Sequence, residues 1–233
     1  ILADASRTKS DAMLTAFARA VDGLRGRYIT AQDVGITEAD MVAIARHTHH
    51  AAGLPGQGGD PGPYTARGVY LGVKAAAARA LGTDRLAGVR VAIQGVGSGG
   101  DGVARYLAAE GAGLTLADLD TDRASRLAEE LGAAVTGADA VLSTEADIVC
   151  PCALGAVLTE ASIPAIKARV VAGGANNQLA TGSEGALLRE RGILYAPDYV
   201  INAGGIINVL RHIDGAGDAE IDARIDCIPA RLE

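Results

Sequence analysis

The feature that most constrains the fold is a glycine-rich turn placed between an apolar strand and a helix. The run Val89-Arg-Val-Ala-Ile-Gln94 has the short apolar pattern of a buried strand, and Gly95-Val-Gly97-Ser-Gly-Gly100 follows it directly. The spacing G-x-G-x-x-G says little by itself in a chain with 31 glycines, but here it opens a predicted helix over about 100–110. The next predicted strand, 114–118, ends at Asp118. Together these features predict the first strand–helix–strand unit of a dinucleotide-binding sheet.

Each glycine of this turn has its own physical role. Gly95 permits the tight turn, Gly97 lets the backbone approach a pyrophosphate, and Gly100 lets the helix pack closely on the sheet. The helix start offers N–H groups and a positive dipole end to the phosphates. A carboxylate at Asp118 is expected to accept hydrogen bonds from the ribose hydroxyls and to repel a 2′-phosphate, which predicts NAD rather than NADP. The predicted nucleotide contacts of this unit are Gly95, Gly97, Ser98, Gly99, Gly100 and Asp118.

The rest of the chain alternates between helical and strand-like patterns. Helices are predicted over 8–24, from the N-cap Thr37 to about His49, over 65–81 and over 121–131. Residues 27–36 are predicted to be a short strand that runs into a loop, and further strands are predicted over 140–143, 147–150, 169–172 and 193–195. A segment rich in glycine and proline, 52–64, marks a boundary between two domains. This alternation predicts an α/β fold with a parallel, doubly wound, Rossmann-like sheet and helices on both faces.

Composition excludes several classes of function. The chain has 21 basic and 28 acidic residues, a formal charge of −7, one Phe and no Trp, which argues against binding of nucleic acid or an anionic membrane. No run of about 18 apolar residues occurs, so no membrane span is expected. The first residues lack the pattern of a signal peptide, and three cysteines, with Cys150 and Cys152 two apart, are no disulfide framework. These observations favour a cytoplasmic protein.

A histidine cluster does not lead to a predicted metal site. His47, His49 and His50 lie at the end of a predicted helix, where the dipole favours them. No acidic or cysteine partner stands nearby at ligand spacing.

Four longer segments carry a resemblance to a known family. They are Gly26-Arg-Tyr-Ile-Thr-Ala-Gln-Asp-Val-Gly35, Pro63-Tyr-Thr-Ala-Arg-Gly-Val-Tyr70, Ala172-Gly-Gly-Ala-Asn-Asn-Gln178 and Tyr195-Ala-Pro-Asp-Tyr-Val-Ile-Asn-Ala-Gly-Gly205. With them the chain resembles the glutamate/leucine/phenylalanine/valine dehydrogenase family, most closely its leucine dehydrogenases, over roughly residues 8–210. Composition and periodicity predict only a Rossmann-like enzyme, so the amino-acid substrate class comes from the resemblance.

The resemblance implies roles around the reacting end of the cofactor. Asp33 matches the family's catalytic aspartate, which moves protons to and from the substrate amino group. Thr65 matches the residue that hydrogen-bonds the nicotinamide carboxamide. Cys152 and Ala153 match the segment that lines the nicotinamide side of the cleft.

The resemblance also implies the substrate contacts. Asn176 and Asn202 match asparagines that hold the substrate and the nicotinamide end of the cofactor, although residues alone would make them turn positions. Ile206 and Val209, one helical turn apart, match the side-chain pocket, with Ala31 as a small neighbour. Because an apolar pocket discriminates by only about 1–3 kcal/mol per methylene, branched aliphatic substrates are favoured but leucine, valine and isoleucine are not separated.

The domain organisation follows from the same resemblance. Residues 1–60 are expected to be the C-terminal remnant of an α/β substrate-binding domain, 62–203 the NAD-binding Rossmann domain, and 204–233 a segment that returns to the first domain. The family's two essential lysines are missing, since Lys9 aligns with neither. The sequence is therefore expected to be part of a longer, homo-oligomeric enzyme that converts an apolar L-amino acid to a 2-oxo acid and ammonia with NAD.

Three alternatives stay open. The chain could be a non-catalytic NAD-binding module that lacks the lysines, or it could have phenylalanine dehydrogenase-like activity. A Rossmann enzyme of the shikimate or tetrahydrofolate dehydrogenase type is disfavoured by the segments Gln32-Asp-Val-Gly35 and Asn202-Ala-Gly-Gly205.

Overall fold

The computed structural model describes three stretches of the chain, which are residues 9–33, 35–56 and 59–232. Their contacts divide the chain into two units. The first contains the chain up to Pro61 together with Ile206–Ile221, and the second contains Gly62–Gly205 together with the segment that begins at Asp222. Residues 204–233, expected to return as one segment, thus contribute to both units.

Two capped helices form the first unit's core. The helix α1 (Asp11–Gly23) begins after Ser10, whose hydroxyl accepts a hydrogen bond from a backbone N–H of the first turn at 3.3 Å. The helix α2 (Glu38–Ala45) begins with the expected capping box, in which the side chains of Thr37 and Asp40 each accept from the other's backbone N–H. The buried residues that pack together here are Leu14, Ala18, Met41, Ile44 and Ala51.

The short strand predicted within residues 27–36 is reduced to a single bridge in a loop. Only Thr30 makes a bridge, with its N–H donating to the carbonyl of His50 at 2.9 Å and its carbonyl accepting from Ala52 at 2.8 Å. A strand needs a continuous ladder of such bonds, and the described residues on either side of Thr30 are assigned no ladder. Val34, inside the predicted strand, lies outside the described residues.

A six-stranded, entirely parallel sheet forms the centre of the second unit. Its strands are β1 (Arg90–Gln94), β2 (Gly113–Ala117), β3 (Ala134–Val135), β4 (Ile148–Pro151), β5 (Val170–Val171) and β6 (Leu194–Tyr195). They lie in the order β3-β2-β1-β4-β5-β6, which confirms the predicted α/β fold with a doubly wound sheet.

Helices cover both faces of this sheet. On β1, Val91 and Ile93 belong to one buried cluster and Ala92, pointing the other way, belongs to a second. The first cluster also contains side chains from α3 (Gly62–Leu81), α4 (Ser98–Ala109) and α5 (Thr121–Leu131). The second contains Leu188 of α6 (Glu184–Glu190). Burial on both faces explains why the strands appear in the sequence as continuous apolar runs.

One strand was predicted in the wrong place. The apolar run 140–143 forms a short 3-10 helix, Val141–Ser143, because the N–H of Ser143 donates to the carbonyl of Ala140 at 3.0 Å, three residues earlier. The third strand is instead Ala134–Val135, whose side chains are exposed and therefore lack the apolar signal of a buried strand.

The remaining helices follow the sixth strand. They are α7 (Asp198–Ile201), α8 (Gly204–Asp214), α9 (Asp218–Asp226) and α10 (Ile228–Leu232). Among the described residues, no helix combines the length and the apolar character needed to cross a membrane.

The strand order reverses beside β1 and creates the place for a ligand. The strand β1 pairs with β2 on one side and with β4 on the other, so that Gln94 lies in register with Ala117 and with Pro151. The loops that leave these three carboxyl ends diverge, and the crevice between them is where open α/β sheets bind ligands.

Candidate dinucleotide-binding site

The glycine-rich turn contains two open positions, Gly97 and Gly99, between two closely packed ones, Gly95 and Gly100. Gly95 has a φ of +87° and donates its N–H to the carbonyl of Ala117 at 2.7 Å. A Cβ on Gly95 would lie 2.7 Å from the backbone nitrogen of Ala153, and a Cβ on Gly100 would overlap the carbonyl oxygen of Gly95. A Cβ on Gly97 would meet no heavy atom of the described residues within 4 Å. The fold itself therefore requires glycine at 95 and 100, whereas position 97 leaves room for a ligand.

The helix α4 starts directly at this open position. Gly97 is its N-cap and supplies no side chain to the helix end, while its carbonyl accepts from Asp101 at 2.8 Å. Ser98 and Gly99 form the first turn, where N–H groups and the helix dipole favour an anion. The carboxylate of Asp101 is paired with the guanidinium of Arg105 at 2.6 Å, which offsets its negative charge.

The carboxylate of Asp118, the residue after β2, holds the glycine-rich turn in place through a hydrogen bond. Its Oδ2 accepts from the N–H of Val96 at 2.8 Å, and its Oδ1 accepts from the N–H of Asp120 at 2.9 Å. A carboxylate has about four lone-pair sites, so acceptor capacity remains for ribose hydroxyls. Arg123 lies with its Nη1 3.8 Å from Asp118 Oδ2. This cation stands five positions further along the chain, and sequence reasoning did not predict its approach.

The loop after β4 packs against the same turn. Cys152 donates its N–H to the carbonyl of Gln94 at 2.6 Å, and Ala153 lies against Gly95. A Cβ on Gly100 would come within 3.2 Å of the Cβ of Cys152. The structure therefore brings Cys152 and Ala153 beside the glycine-rich turn, more than 50 residues away in sequence.

Two asparagines link the loops that follow β5 and α7. The side-chain N–H of Asn202 donates to Oδ1 of Asn176 at 2.5 Å and approaches the carbonyl of Gly174 at 3.4 Å. Asn202 is the C-cap of α7, and Asn176 is exposed. The two side chains thus form one polar pair, with hydrogen-bonding groups remaining for a ligand.

Gln178 stabilises the loop that carries Asn176, and the sequence analysis did not identify this residue. Its side chain is fully buried, and its Nε2 donates to the carbonyls of Gly173 at 2.7 Å and Ala175 at 3.0 Å. These bonds close the loop that presents Asn176. The signal was available, because Gln178 ends one of the four segments on which the resemblance depends.

A further contact brings Thr65 beside the segment that contains Asn202. Thr65 lies in the first turn of α3. A Cβ on Gly204 would overlap the carbonyl of Tyr64 and lie 3.2 Å from the nitrogen of Thr65. Glycine at 204 therefore allows the starts of α3 and α8 to touch.

The remaining predicted site residues lie in the first unit. Asp33 is exposed and Ala31 is partly buried. On α8, Ile206 is 66% exposed, and Val209, three residues further on, is partly buried. Their proposed roles depend on the family resemblance.

Potential metal ligands do not cluster in the part of the chain that the structure describes. There, no group of three His, Cys, Asp or Glu side chains has a geometry that could hold an ion.

Comparison with known proteins gives a consistent result. A family model described as glutamate/leucine/phenylalanine/valine dehydrogenase matches residues 115–210. The leucine dehydrogenase of Bacillus cereus is 45% identical over 231 residues, covering 98% of this chain and 63% of that protein. The leucine dehydrogenase of Geobacillus stearothermophilus is 44% identical, covering 100% of this chain and 64% of that protein. The chain thus spans somewhat under two thirds of these relatives.

Solved structures show the same likeness. The crystal structure of L-tryptophan dehydrogenase from Nostoc punctiforme has a TM-score of 0.79 at 38% identity, covering 97% of this chain and 66% of that one. A glutamate dehydrogenase from Thermus thermophilus has a TM-score of 0.77 at 22% identity, covering 95% of this chain and 61% of that one, and so matches in fold alone.

Proposed function

This chain belongs to the glutamate/leucine/phenylalanine/valine dehydrogenase family, and from that premise we propose that it serves the NAD-dependent oxidative deamination of branched aliphatic L-amino acids. In this reaction an L-amino acid, NAD⁺ and water give a 2-oxo acid, ammonium, NADH and a proton. The observation that carries the proposal is that three features follow the carboxyl ends of strands in one parallel sheet. These are the open turn at Gly97, the carboxylate of Asp118 and the Asn176–Asn202 pair.

The residues around the turn fit a dinucleotide. The room at Gly97 and the start of the 12-residue helix α4 suit a pyrophosphate, and Asp118 keeps lone pairs for ribose hydroxyls. When bound, NAD supplies the hydride acceptor. Of the chain's own residues, Gly95, Gly97, Ser98, Gly99 and Gly100 hold the phosphates in this proposal, with Thr65, Cys152, Ala153 and Asn176 at the nicotinamide end.

Six residues are proposed to contact the substrate. Asn176 and Asn202, already joined to each other, orient the substrate against the nicotinamide, and fixing such groups in advance is a large part of catalysis. Asp33 accepts and returns a proton at the substrate amino group. Ile206 and Val209, with Ala31, receive the aliphatic side chain.

Specificity in this proposal depends on shape and on the lack of charge. Ile206 and Val209 carry only hydrocarbon, so a carboxylate at the end of the substrate side chain would be buried without a partner. Leucine, valine and isoleucine are therefore preferred over glutamate. Aromatic amino acids are the second candidate, since relatives named L-tryptophan dehydrogenase and phenylalanine dehydrogenase are 42% and 40% identical to this chain.

The cellular location and the assembly of the protein are part of the same proposal. Its three cysteines are free thiols, which persist in the reducing cytoplasm. The family resemblance implies a homo-oligomer whose partners are the amino acid, the 2-oxo acid and ammonia. Size-exclusion chromatography with light scattering tests the assembly.

The proposal is tested by following NADH formation at its near-ultraviolet absorbance. L-leucine, L-valine, L-phenylalanine, L-tryptophan and L-glutamate are supplied in turn, each with NAD and with NADP, and NADH binding is titrated separately. Turnover of leucine or valine with NAD is expected where the two family lysines, which these 233 residues lack, are also present. Turnover of glutamate alone contradicts the apolar pocket, and a preference for NADP contradicts the role of Asp118. NADH binding without any turnover supports the non-catalytic module instead.

A further inference from the structure

Two cysteine sulfurs lie in contact at the carboxyl end of β4. Cys150 and Cys152 flank Pro151, the last residue of the strand. Side chains two residues apart in an extended chain point to the same side, and here the two Sγ atoms are 3.5 Å apart. Cys150 is fully buried, whereas Cys152 is only partly buried and lies beside the glycine-rich turn.

The surroundings make the two thiols unequal. A hydrogen bond from Cys150, followed by the N–H of Gly174, lowers the pKa of the Cys152 thiol. The same contact with Cys152, together with burial, raises the pKa of Cys150. Because the thiolate is the reactive form, Cys152 is the sulfur prepared to attack an oxidant, and it is also the more accessible of the two.

We propose that Cys150 and Cys152 form a reversible dithiol–disulfide site that hydroperoxides oxidise. The thiolate of Cys152 attacks hydrogen peroxide, so that a sulfur–oxygen bond forms, the oxygen–oxygen bond breaks, and hydroxide leaves as water after taking a proton. The sulfur of Cys150 then attacks the sulfenic acid of Cys152. A sulfur–sulfur bond forms, the sulfur–oxygen bond breaks, and the proton of Cys150 leaves with the oxygen as a second water.

The distance to be closed is small. The sulfurs must move from 3.5 Å to the bonded distance of about 2.05 Å. Cys152 provides most of this movement, with its side chain and backbone shifting together, because Cys150 is enclosed in the sheet's core. A dithiol such as dithiothreitol reverses the reaction by exchange.

Oxidation has a consequence that rests on the proposed function. The backbone of Cys152 is bonded to Gln94, and the next residue, Ala153, packs on Gly95. Drawing Cys152 towards Cys150 displaces this loop from the turn that would hold the pyrophosphate. NADH is therefore expected to bind the oxidised protein at least about tenfold more weakly, the loss that corresponds to one hydrogen bond to a charged phosphate.

The test is the mass of the tryptic peptide that follows Arg126 and ends at Lys167, which contains both cysteines. The protein is treated with hydrogen peroxide, its remaining thiols are alkylated, and the mass of the peptide is measured by mass spectrometry. The expected peptide is unalkylated and lighter by about 2 Da, the mass of two hydrogens, and dithiothreitol restores it. Two alkyl groups on this peptide after a treatment that oxidises the exposed Cys227 would overturn the proposal.

Variants separate the two steps. In Cys150→Ala, Cys152 should gain oxygen instead of losing hydrogen, whereas Cys227→Ala should behave like the parent protein. A disulfide that joins Cys227 to either partner contradicts the assignment. The measurement on the unaltered protein stands even if Cys150→Ala does not fold.

NADH titration of the reduced and oxidised proteins tests the consequence separately. Equal affinities overturn the effect on the nucleotide site. A reduced protein that does not bind NADH contradicts the proposed function, while the peptide mass still decides whether the disulfide forms.

Discussion

The backbone N–H of Val96 donates a hydrogen bond to Oδ2 of Asp118, with 2.8 Å between the two atoms. The residue at the end of β2 therefore has a structural task before any ligand arrives, because it holds the glycine-rich turn in place. A second oxygen of the same carboxylate accepts from Asp120 and fixes its orientation. In the proposed function the same carboxylate contacts ribose hydroxyls, and its fixed orientation lowers the entropic cost of that contact.

Replacing Asp118 should separate these two tasks. In Asp118→Asn one oxygen acceptor remains, so we expect the free energy of unfolding to fall by only about 1 kcal/mol. NADH affinity should fall by about tenfold, with NADPH affected less because a repelling charge is lost. Fluorescence titration of both nucleotides measures this. Asp120→Asn, an exposed change that keeps a good N-cap for α5, is the control. Unchanged NADH affinity in Asp118→Asn would contradict the proposed ribose contact.

Replacing two glycines of the turn by alanine should have different effects on stability and on NADH affinity. Gly97→Ala adds a methyl group into open space, so unfolding should stay within about 0.5 kcal/mol of the parent protein while NADH affinity falls at least about tenfold. Gly100→Ala places a Cβ on the carbonyl of Gly95 and should destabilise the protein by about 1–3 kcal/mol or more. Denaturant unfolding and NADH titration together measure both. Normal NADH binding by Gly97→Ala would show that the phosphates lie elsewhere.

The asparagine pair predicts a loss of activity without a loss of fold. Asn202→Ala leaves Oδ1 of Asn176 without its 2.5 Å donor, and kcat/KM should fall by about tenfold to a hundredfold because the ligand-orienting pair is broken. Asn177→Gly is the matched control, since Asn177 is exposed with a φ of +52°, which glycine adopts easily. Steady-state kinetics and thermal unfolding distinguish the two. Equal activities would remove Asn202 from the site.

Two exposed isoleucines on α8 test the substrate pocket. Ile206 is 66% exposed and Ile213 is 59% exposed, so neither alanine variant should alter unfolding appreciably. Ile206→Ala should lower kcat/KM for leucine by about tenfold through lost apolar contact, while NADH affinity is kept. Ile213→Ala should change neither quantity. The pocket assignment fails if the two variants behave alike.

A pH-dependent contribution to stability is expected where β1 meets β4. Asp147 accepts hydrogen bonds from the backbone N–H and the guanidinium of Arg90, and these bonds hold the pKa of Asp147 below its usual range. A lowered folded pKa stabilises the protein above the unfolded value, about pH 4, and this contribution disappears as the pH falls through the folded pKa. Asp147→Asn should therefore lower the free energy of unfolding at neutral pH by about 1 kcal/mol.

Urea unfolding at several pH values measures this effect. The difference between the parent protein and Asp147→Asn should shrink as the solution is acidified below about pH 4. Glu145→Gln removes the exposed ion pair with Lys167 nearby and should produce no measurable change. A difference that grows on acidification would contradict the assigned direction.

The local pattern of the sequence determined the fold class and most of the elements. Short apolar runs predicted β1, β2, β4, β5 and β6, because each of these strands is buried at least in part and its apolar pattern is a local property. The exposed strand Ala134–Val135 carries no apolar signal, so the sequence does not predict it. The apolar run at Val141–Ser143 has the composition of a strand but forms a 3-10 helix, which a run this short cannot reveal.

The sequence by itself thus determined a parallel α/β sheet, a glycine-rich turn of the dinucleotide-binding kind, and a resemblance that names the residues of the site. Only the tertiary structure decided which of those residues meet. The contacts of Val96 with Asp118, of Gly95 with Ala153 and of Asn176 with Asn202 join positions 22, 58 and 26 residues apart. Such contacts depend on which strand ends become neighbours, and that order is set by long-range packing, to which no local periodicity responds.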